Sequence, residues 1–235
     1  MKYHFDATED YLRRQSEIEI LLDTAKTVDD AEKQKLFLKL AVVSLVTKFQ
    51  VYIESVLKEF LYVIQSSNIQ YDVLPLYMQL NSVKINVTNN ALFGLTKHDR
   101  FTEETRARVA EYIESISYIT GKKKKVDNSL NFKTSFPLGK TGKKELLDLF
   151  KQIEGNENIF LNEDIPEEEA IDLEKLNALL LTRHLIIHQD RFNETEVTIK
   201  EYIKYVVRLV EYCDGYLAGC LDKCGVLLEK KEFKG

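Results

Sequence analysis

Apolar residues recur at the three- and four-residue spacing of an α-helix in four long stretches of the chain. These stretches are residues 8–26, 31–65, 170–189 and 195–230. The second is apolar around most of its circumference, which predicts that it is the central, buried helix of the fold. We therefore predict an all-α, single-domain protein (residues 1–235), a helical bundle whose core helices span roughly residues 8–66 and 170–230.

The second predicted helix has a recognisable start and a thin polar stripe. Asp29 or Asp30 precedes it, and either carboxylate can accept hydrogen bonds from the first backbone N–H groups of the helix. Its polar side chains, most of which we expect to face solvent, are Ser44, Thr47, Lys48, Glu54, Ser55 and Lys58.

The middle of the chain, roughly residues 67–169, shows weaker periodicity, and we interpret it as a mixed loop and helix insertion between the two halves of the bundle. Residues 83–87 alternate enough for a short extended segment, although a loop fits them equally well. Helical spacing returns over residues 101–119, and a further helix is predicted from about Thr141.

Charge is distributed unevenly across this insertion. Residues 120–151 contain nine lysines and three acidic residues, whereas residues 152–175 contain nine acidic residues and one lysine. The two blocks either pair within the fold or form solvated loops.

Composition excludes several classes of protein. Hydrophobic residues make up 44% of the chain, enough to form a core, so wholesale disorder is excluded. The formal net charge is −5, whereas a protein that coats nucleic acid by charge alone is basic. No apolar run approaches the roughly 20 residues of a membrane span, and the polar N-terminal segment does not resemble a signal peptide. We therefore expect a cytoplasmic protein without membrane contact.

Any contact with nucleic acid is consequently expected to be local. The most basic segment is a run of four lysines, namely Lys122, Lys123, Lys124 and Lys125. It is a candidate RNA-binding segment that guides the phosphate backbone, and a solvated loop is the alternative interpretation.

Three cysteines, Cys213, Cys220 and Cys224, lie close together near the C-terminus. Their number is odd and no CxxC pair occurs, so neither a disulfide framework nor a structural zinc site is indicated. Spacings of seven and four residues put them on one helical face, and we interpret them as small buried apolar residues in a reducing compartment.

The segment TRHLIIHQD, residues 182–190, ends a leucine-rich helix with Arg183, His184 and His188. A metal site is one interpretation, because His184 and His188 are four residues apart and share a helical face. No third ligand is evident from the spacing, however. Leu185 follows His184, so the glutamate that acts as general base in a metalloprotease HExxH motif is missing.

Two other interpretations of the same residues remain open. In a structural interpretation the histidines pack, and the cations are favoured near a helix C-terminus. In a catalytic interpretation the site cleaves RNA without metal: histidine moves protons near neutral pH, and arginine stabilises charge that grows on phosphate oxygens. Arg183 and His188 are about 140° apart around an ideal helix, which one side chain does not span unless the helix ends here.

The hexapeptide RHLIIH, from Arg183 to His188, resembles the motif of the HEPN superfamily of helical nucleotide-binding and ribonuclease domains: arginine, a polar residue, three residues, then histidine. Its place before a long last helix is also similar. The chain length and the segment NSLNFKTSFPLGKTGKKELLDLFKQIEG resemble the RiboL-PSP and MAE-type branch. Many relatives have a glycine soon after the histidine, where this chain has Gln189 and Asp190.

The resemblance implies an all-α HEPN-like bundle with the activity of a metal-independent endoribonuclease, which requires no cofactor. Arg183 would bind the scissile phosphate, His188 would act as general acid or base, and His184 would orient the pair or the substrate. An acidic residue on an early core helix often supports the site, and Glu54 is our candidate, although a solvent-facing glutamate fits the sequence equally well.

The resemblance also implies partners. HEPN domains typically form homodimers in which two such motifs face each other, so the active site would lie at the dimer interface. Relatives commonly act as toxins of toxin–antitoxin systems or as anti-phage defence effectors, which implies an RNA substrate and an antitoxin or defence-system partner protein. Two alternatives remain: a non-catalytic HEPN-like module that binds a nucleotide or a protein, and a helical scaffold whose histidines only pack.

Overall fold

The computed structural model of the protein describes residues 2–79, 107, 125–128, 130–137, 142–155, 159–160 and 171–233. Its long helices are α1 (Asp6–Thr27), α2 (Ala31–Ser66), α3 (Gly142–Glu154), α4 (Leu173–Gln189) and α5 (Glu196–Lys223). Two-residue strands, β1 (Lys2–Tyr3) and β2 (Lys231–Glu232), pair antiparallel, and a short 3₁₀ helix spans Tyr71–Val73. Apart from this strand pair and an isolated bridge between Gln70 and Lys125, the regular secondary structure of the described residues is helical, which confirms the predicted all-α fold.

Three sequence predictions concern residues outside the described ranges. These are the extended segment at residues 83–87, the helix at residues 101–119 apart from Ala107, and the lysines Lys122, Lys123 and Lys124.

Helix α2 is the centre of the core, as its apolar composition predicts. It packs against α1, α4 and α5, and burial of each large apolar side chain contributes about 1.5–3 kcal/mol to stability. Its buried residues are Ala41, Val42, Leu45, Val46, Phe49, Tyr52, Ile53, Val56, Leu57, Phe60 and Ile64.

By length and composition alone, α2 could also cross a membrane. An 18-residue window within it has a mean hydropathy of 1.7 and no more than two charged residues. The expectation that no apolar stretch approaches the length of a membrane span is therefore too strict. Two lysines interrupt the apolar sequence, but the mean hydropathy of the whole window remains high. The core helix of a soluble protein meets the same criterion.

The start of α2 confirms one predicted cap, and its polar stripe is more covered than expected. Oδ1 of Asp30 accepts hydrogen bonds from the backbone N–H groups of Glu32 and Lys33. Within the stripe only Thr47 and Lys58 are exposed. The other stripe residues are half-buried, because neighbouring segments approach this side of the helix; Lys48, for example, pairs with Glu17 on α1 at 2.6 Å.

Helices α4 and α5 differ from their predicted bounds. Helix α4 begins at Leu173 rather than Ala170, because the side chain of Asp172 accepts the Glu174 N–H and caps the first turn. Helix α5 ends at Lys223 rather than near Lys230. Gly225, with a φ of 77°, reverses the chain there, and residues 231–232 then form β2. The predicted end was wrong because apolar spacing continues past this glycine.

The N-terminus of α1 is capped by carboxylates from other helices. Its own N-cap residue, Phe5, offers no side-chain hydrogen bond. Instead, Asp214 on α5 accepts the backbone N–H groups of His4 and Phe5, together with the hydroxyl of Thr8. Glu59 on α2 accepts the next two N–H groups, those of Asp6 and Ala7. Because distant residues supply these caps, the start of α1 depends on the assembled bundle.

The cysteines occupy the positions that the sequence predicts. Cys213, Cys220 and Cys224 are free and buried. Burial raises the pKa of the Cys220 thiol to about 12, so the thiol stays protonated at neutral pH, as expected for packing residues.

The described residues of the middle segment join the same core as the terminal helices. Phe132, Phe136, Phe150 and Phe160 are buried there. The two charge blocks meet in at least one place, because Lys143 pairs with Glu174 at 2.6 Å. These contacts attach α3 to α4, the helix that carries the predicted motif.

Candidate functional site

Helix α4 carries the predicted motif in its last two turns. Its buried residues, which pack it into the bundle, are Leu173, Leu176, Leu179, Leu180 and Thr182. The helix ends at Gln189, so Arg183, His184 and His188 all lie close to its C-terminus.

Arg183 lies on the side of α4 that faces the core. It follows buried Leu179 and Leu180 by one helical turn, and its own side chain is half-buried. Its Nε atom is buried and has no hydrogen-bond partner among the described residues. An unsatisfied buried donor costs about 1–3 kcal/mol of folding stability.

His184 and His188 lie together on a neighbouring face, as their spacing predicts. The centroids of their rings are 4.5 Å apart and the ring planes are inclined by 47°. His188 is exposed and His184 is half-buried. Arg183 lies about 140° around the helix from His188. Within one chain, the structure therefore brings the two histidines together and leaves Arg183 on the adjacent, core-facing side.

A lysine from α2 holds the turn that follows His188. Asp190 ends α4 in the left-handed conformation, and its backbone N–H bonds to the carbonyl of Leu185. Nζ of Lys39 lies 2.5 Å from Oδ1 of Asp190, and the Lys39 side chain is only 16% exposed. The hydrogen bond and the charge of Lys39 lower the pKa of Asp190. Sequence reasoning missed Lys39; the available signal was its position as a cation within the apolar run LFLKLAVV.

A cleft of about 250 Å³ lies where α4 turns into the loop before α5. The sequence did not predict this cleft, because its walls combine a helix and a loop. It is lined by Thr182, Leu185, Arg191, Phe192, Asn193 and Glu194.

Glu54 occupies a different part of α2. Its Oε1 accepts hydrogen bonds from Nε2 of Gln50 and from the backbone N–H of Phe136, both at 3.1 Å. Glu54 lies roughly 22 Å along α2 from Lys39, the residue that contacts the end of α4. These hydrogen bonds attach residues 130–137 to the core, and none of them joins Glu54 to the motif on α4.

The predicted lysine segment lies only partly within the described residues. Lys125 is exposed and forms an isolated backbone bridge with Gln70, while the other three lysines of its run lie outside the described ranges.

Within the part of the chain that the structure describes, no group of three or more histidine, cysteine and acidic side chains is arranged to hold a metal ion.

The family model described as RiboL-PSP-HEPN matches residues 9–218. The match extends from α1 almost to the end of α5 and includes the segment that holds Arg183, His184 and His188. No curated protein and no solved structure matches the chain.

Proposed function

The chain belongs to the RiboL-PSP-HEPN family, and we propose that it is a metal-independent endoribonuclease that acts through Arg183 and His188. One observation carries the proposal: an arginine with a buried, unpartnered Nε lies at the end of a core helix, beside a contacting pair of histidines. Among the described residues no carboxylate forms an ion pair with Arg183, so the two terminal nitrogens of its guanidinium can bind a phosphate through two parallel hydrogen bonds.

The proposed reaction needs only groups that the protein and RNA provide. A neutral imidazole of His188 removes the proton from the 2′-hydroxyl, and O2′ attacks the adjacent phosphorus. Arg183 stabilises the negative charge that grows on the phosphate oxygens. The bond from phosphorus to the 5′-oxygen breaks, a protonated imidazole returns a proton to that oxygen, and the products are a 2′,3′-cyclic phosphate and a 5′-hydroxyl.

The proposed active site combines catalytic residues from two copies of the chain. Arg183 and His188 lie on different sides of α4, and the reaction uses one proton acceptor and one proton donor. Four exposed apolar residues lie on the two helices that the contact between Lys39 and Asp190 joins: Leu36 and Leu40 on α2, and Leu181 and Ile187 on α4. Exposed large apolar residues are frequent where chains associate, which supports the proposal of a homodimer with the active site between the protomers.

The biological role that we propose is that of a cytoplasmic toxin or anti-phage defence effector. A ribonuclease that needs no metal or cofactor is active once it folds, so the cell that makes it must restrain it. An antitoxin or another protein of the defence system would provide this restraint.

Cleavage of labelled single-stranded RNA in the presence of EDTA tests the proposal. We expect cleavage with 2′,3′-cyclic phosphate ends, and a loss of at least about a hundredfold in rate for either His188→Ala or Arg183→Ala. Arg13→Ala is the matched control, because Arg13 is an exposed arginine on α1 that pairs with Asp10; this variant should cleave at the normal rate.

Two results would contradict the proposal. A requirement for added divalent metal, or full activity in His188→Ala, would show that the mechanism is wrong. Tight binding of RNA without turnover would instead identify a nucleotide-binding HEPN-like module, the alternative that the sequence left open.

A further inference from the structure

The cleft between the end of α4 and the loop before α5 is lined by the carboxylate of Glu194. Oε1 of Glu194 lies 3.2 Å from the hydroxyl of Thr182, a residue that is 8% exposed. The hydroxyl of Tyr202 lies near both residues, and burial, followed by the Glu194 charge, raises the pKa of Tyr202. The Thr182 hydroxyl also lies 3.1 Å from the carbonyl oxygen of Ala178, so its one proton is shared between two acceptors. Among the described residues, hydrogen bonds to Glu194 involve only its Oε1 atom.

The same cleft contains donors beside this carboxylate. Arg191 and Asn193 line it and are exposed, and Phe192, which is 7% exposed, provides an apolar wall. Within the described ranges, no carboxylate forms an ion pair with Arg191. The lining of the cleft thus combines the carboxylate of Glu194, the guanidinium of Arg191 and the amide of Asn193.

The cleft adjoins the turn that carries His188. Leu185 lines the cleft one helical turn before His188, and residues at this spacing have Cβ atoms about 5–6 Å apart. Arg191 follows His188 by three residues, and its backbone N–H bonds to the carbonyl of Leu185 at 3.2 Å. A nucleotide whose phosphate lies at His188 would therefore place a neighbouring base at this cleft.

We propose that this cleft is a guanine-binding subsite that selects the base next to the cleaved phosphate, an inference that rests on the proposed ribonuclease function. Guanine presents two adjacent donors, N1–H and the N2 amino group, which match the two oxygens of Glu194. Its O6 acceptor lies beside them, within reach of Arg191 or Asn193, and arginine is a frequent partner of guanine O6.

The other bases fit the same groups less well. Adenine and cytosine each place a ring-nitrogen acceptor next to the exocyclic amino group, so one carboxylate oxygen would face a lone pair. Uracil has one N–H donor between two acceptors. Unstacked bases of single-stranded RNA are commonly read in this way, through hydrogen bonds to their Watson–Crick edge and contact with an aromatic ring.

The first experiment maps cleavage sites in a random RNA pool. We expect the wild-type protein to prefer guanine next to the cut by at least about tenfold, the discrimination given by one good bidentate pair. Glu194→Gln keeps the size of the side chain and replaces one acceptor by a donor, so it should remove the preference by lowering the cleavage rate at guanine sites to that at other sites. Glu196→Gln is the matched control, because Glu196 lies outside the cleft and pairs with Lys200; it should retain the preference.

A binding measurement separates this inference from the proposed activity. Calorimetric titration with guanosine or adenosine monophosphate needs no cleavage. Tighter binding of the guanosine nucleotide, lost in Glu194→Gln, supports the subsite even if the protein cleaves no RNA. Cleavage without base preference, or equal affinity for the two nucleotides, overturns the subsite and leaves the ribonuclease proposal intact.

Discussion

The ammonium group of Lys39 lies 2.5 Å from Oδ1 of Asp190 and ties α2 to the residue at which α4 ends. Asp190 has a φ of 51° and a ψ of 30°, a left-handed conformation that glycine adopts most readily and aspartate tolerates. Many HEPN relatives have a glycine soon after the motif histidine. In this chain an aspartate ends the helix instead, and a lysine from another helix holds its carboxylate.

We predict that Asp190→Ala destabilises the protein more than Asp190→Gly. Alanine loses the contact with Lys39 and also resists the left-handed conformation, whereas glycine loses the contact but relieves the backbone. The midpoint of urea unfolding checks this order. Asp29→Ala, at an exposed residue before α2, serves as control and should leave the midpoint unchanged. Equal midpoints for the alanine and glycine variants would contradict the interpretation.

Arg183→Met should stabilise the fold and abolish activity. Methionine fills the half-buried position without leaving the buried Nε unsatisfied, so the free energy of unfolding should rise by about 1 kcal/mol. Urea unfolding and the RNA cleavage assay, applied to the same preparation, check both parts. A large loss of stability would mean that Arg183 is a packing residue, as in the helical scaffold considered from the sequence.

Asp214→Ala should be among the most destabilising single changes in the chain. Asp214 is 2% exposed and accepts hydrogen bonds from His4, Phe5 and Thr8. Its removal leaves several buried donors unpaired, and we expect a loss of at least about 3 kcal/mol in the free energy of unfolding. Asp222→Ala, at an exposed position on the same helix, is the control. A loss similar to that of Asp222→Ala would show that the cap is dispensable.

Ionisation of Glu154 should make the free energy of unfolding depend on pH in the acidic range. Its carboxylate accepts hydrogen bonds from Lys223 at 2.7 Å and from Tyr216 at 2.9 Å. Burial acts to raise the pKa of Glu154, but the hydrogen bonds from Lys223, Tyr216 and Cys220, together with the charge of Lys223, lower it below its usual 4.5. The folded state therefore favours the ionised form, so the stabilisation is complete above the usual pKa and is lost as the pH falls through the lowered value.

The variant Glu154→Gln tests this dependence. Because the carboxyl group is partly exposed, we expect the substitution to lower the free energy of unfolding by no more than about 1 kcal/mol at pH 7, and by much less near pH 3. Urea unfolding at both pH values gives the comparison. Glu201→Gln, at an exposed position on α5, should show no such change. A difference that is the same at both pH values would contradict the assignment.

Local spacing was enough to predict the helical core. Periodicity located α1, α2, α4 and α5, and a carboxylate before an apolar run predicted the Asp30 cap, because these features depend on neighbours in sequence. The end of α5 was not predicted, since apolar residues continue beyond Gly225 and only its backbone conformation stops the helix.

The surroundings of the motif depend on contacts that sequence spacing does not contain. The spacing put His184 and His188 on one face, which the structure confirms. The contact between Lys39 and Asp190 joins residues on opposite sides of the long insertion, and the cleft near Glu194 forms only when a helix and a loop meet. The supporting role suggested for Glu54 stays a prediction, because its hydrogen bonds join it to Gln50 and Phe136.

The position of α2 has a consequence for synthesis on the ribosome. Helices α1 and α2 are consecutive and can pair early, but α4 and α5 emerge only after more than a hundred further residues. Until then the hydroxyl of Tyr52 lacks its partner, the carbonyl of Val210, and one side of a helix as apolar as a membrane span stays uncovered. Nascent chains that stall before α4 should therefore be prone to aggregate and to need chaperones. The proposed catalytic residues on α4 are thus synthesised together with the helix that begins to cover the apolar surface of α2.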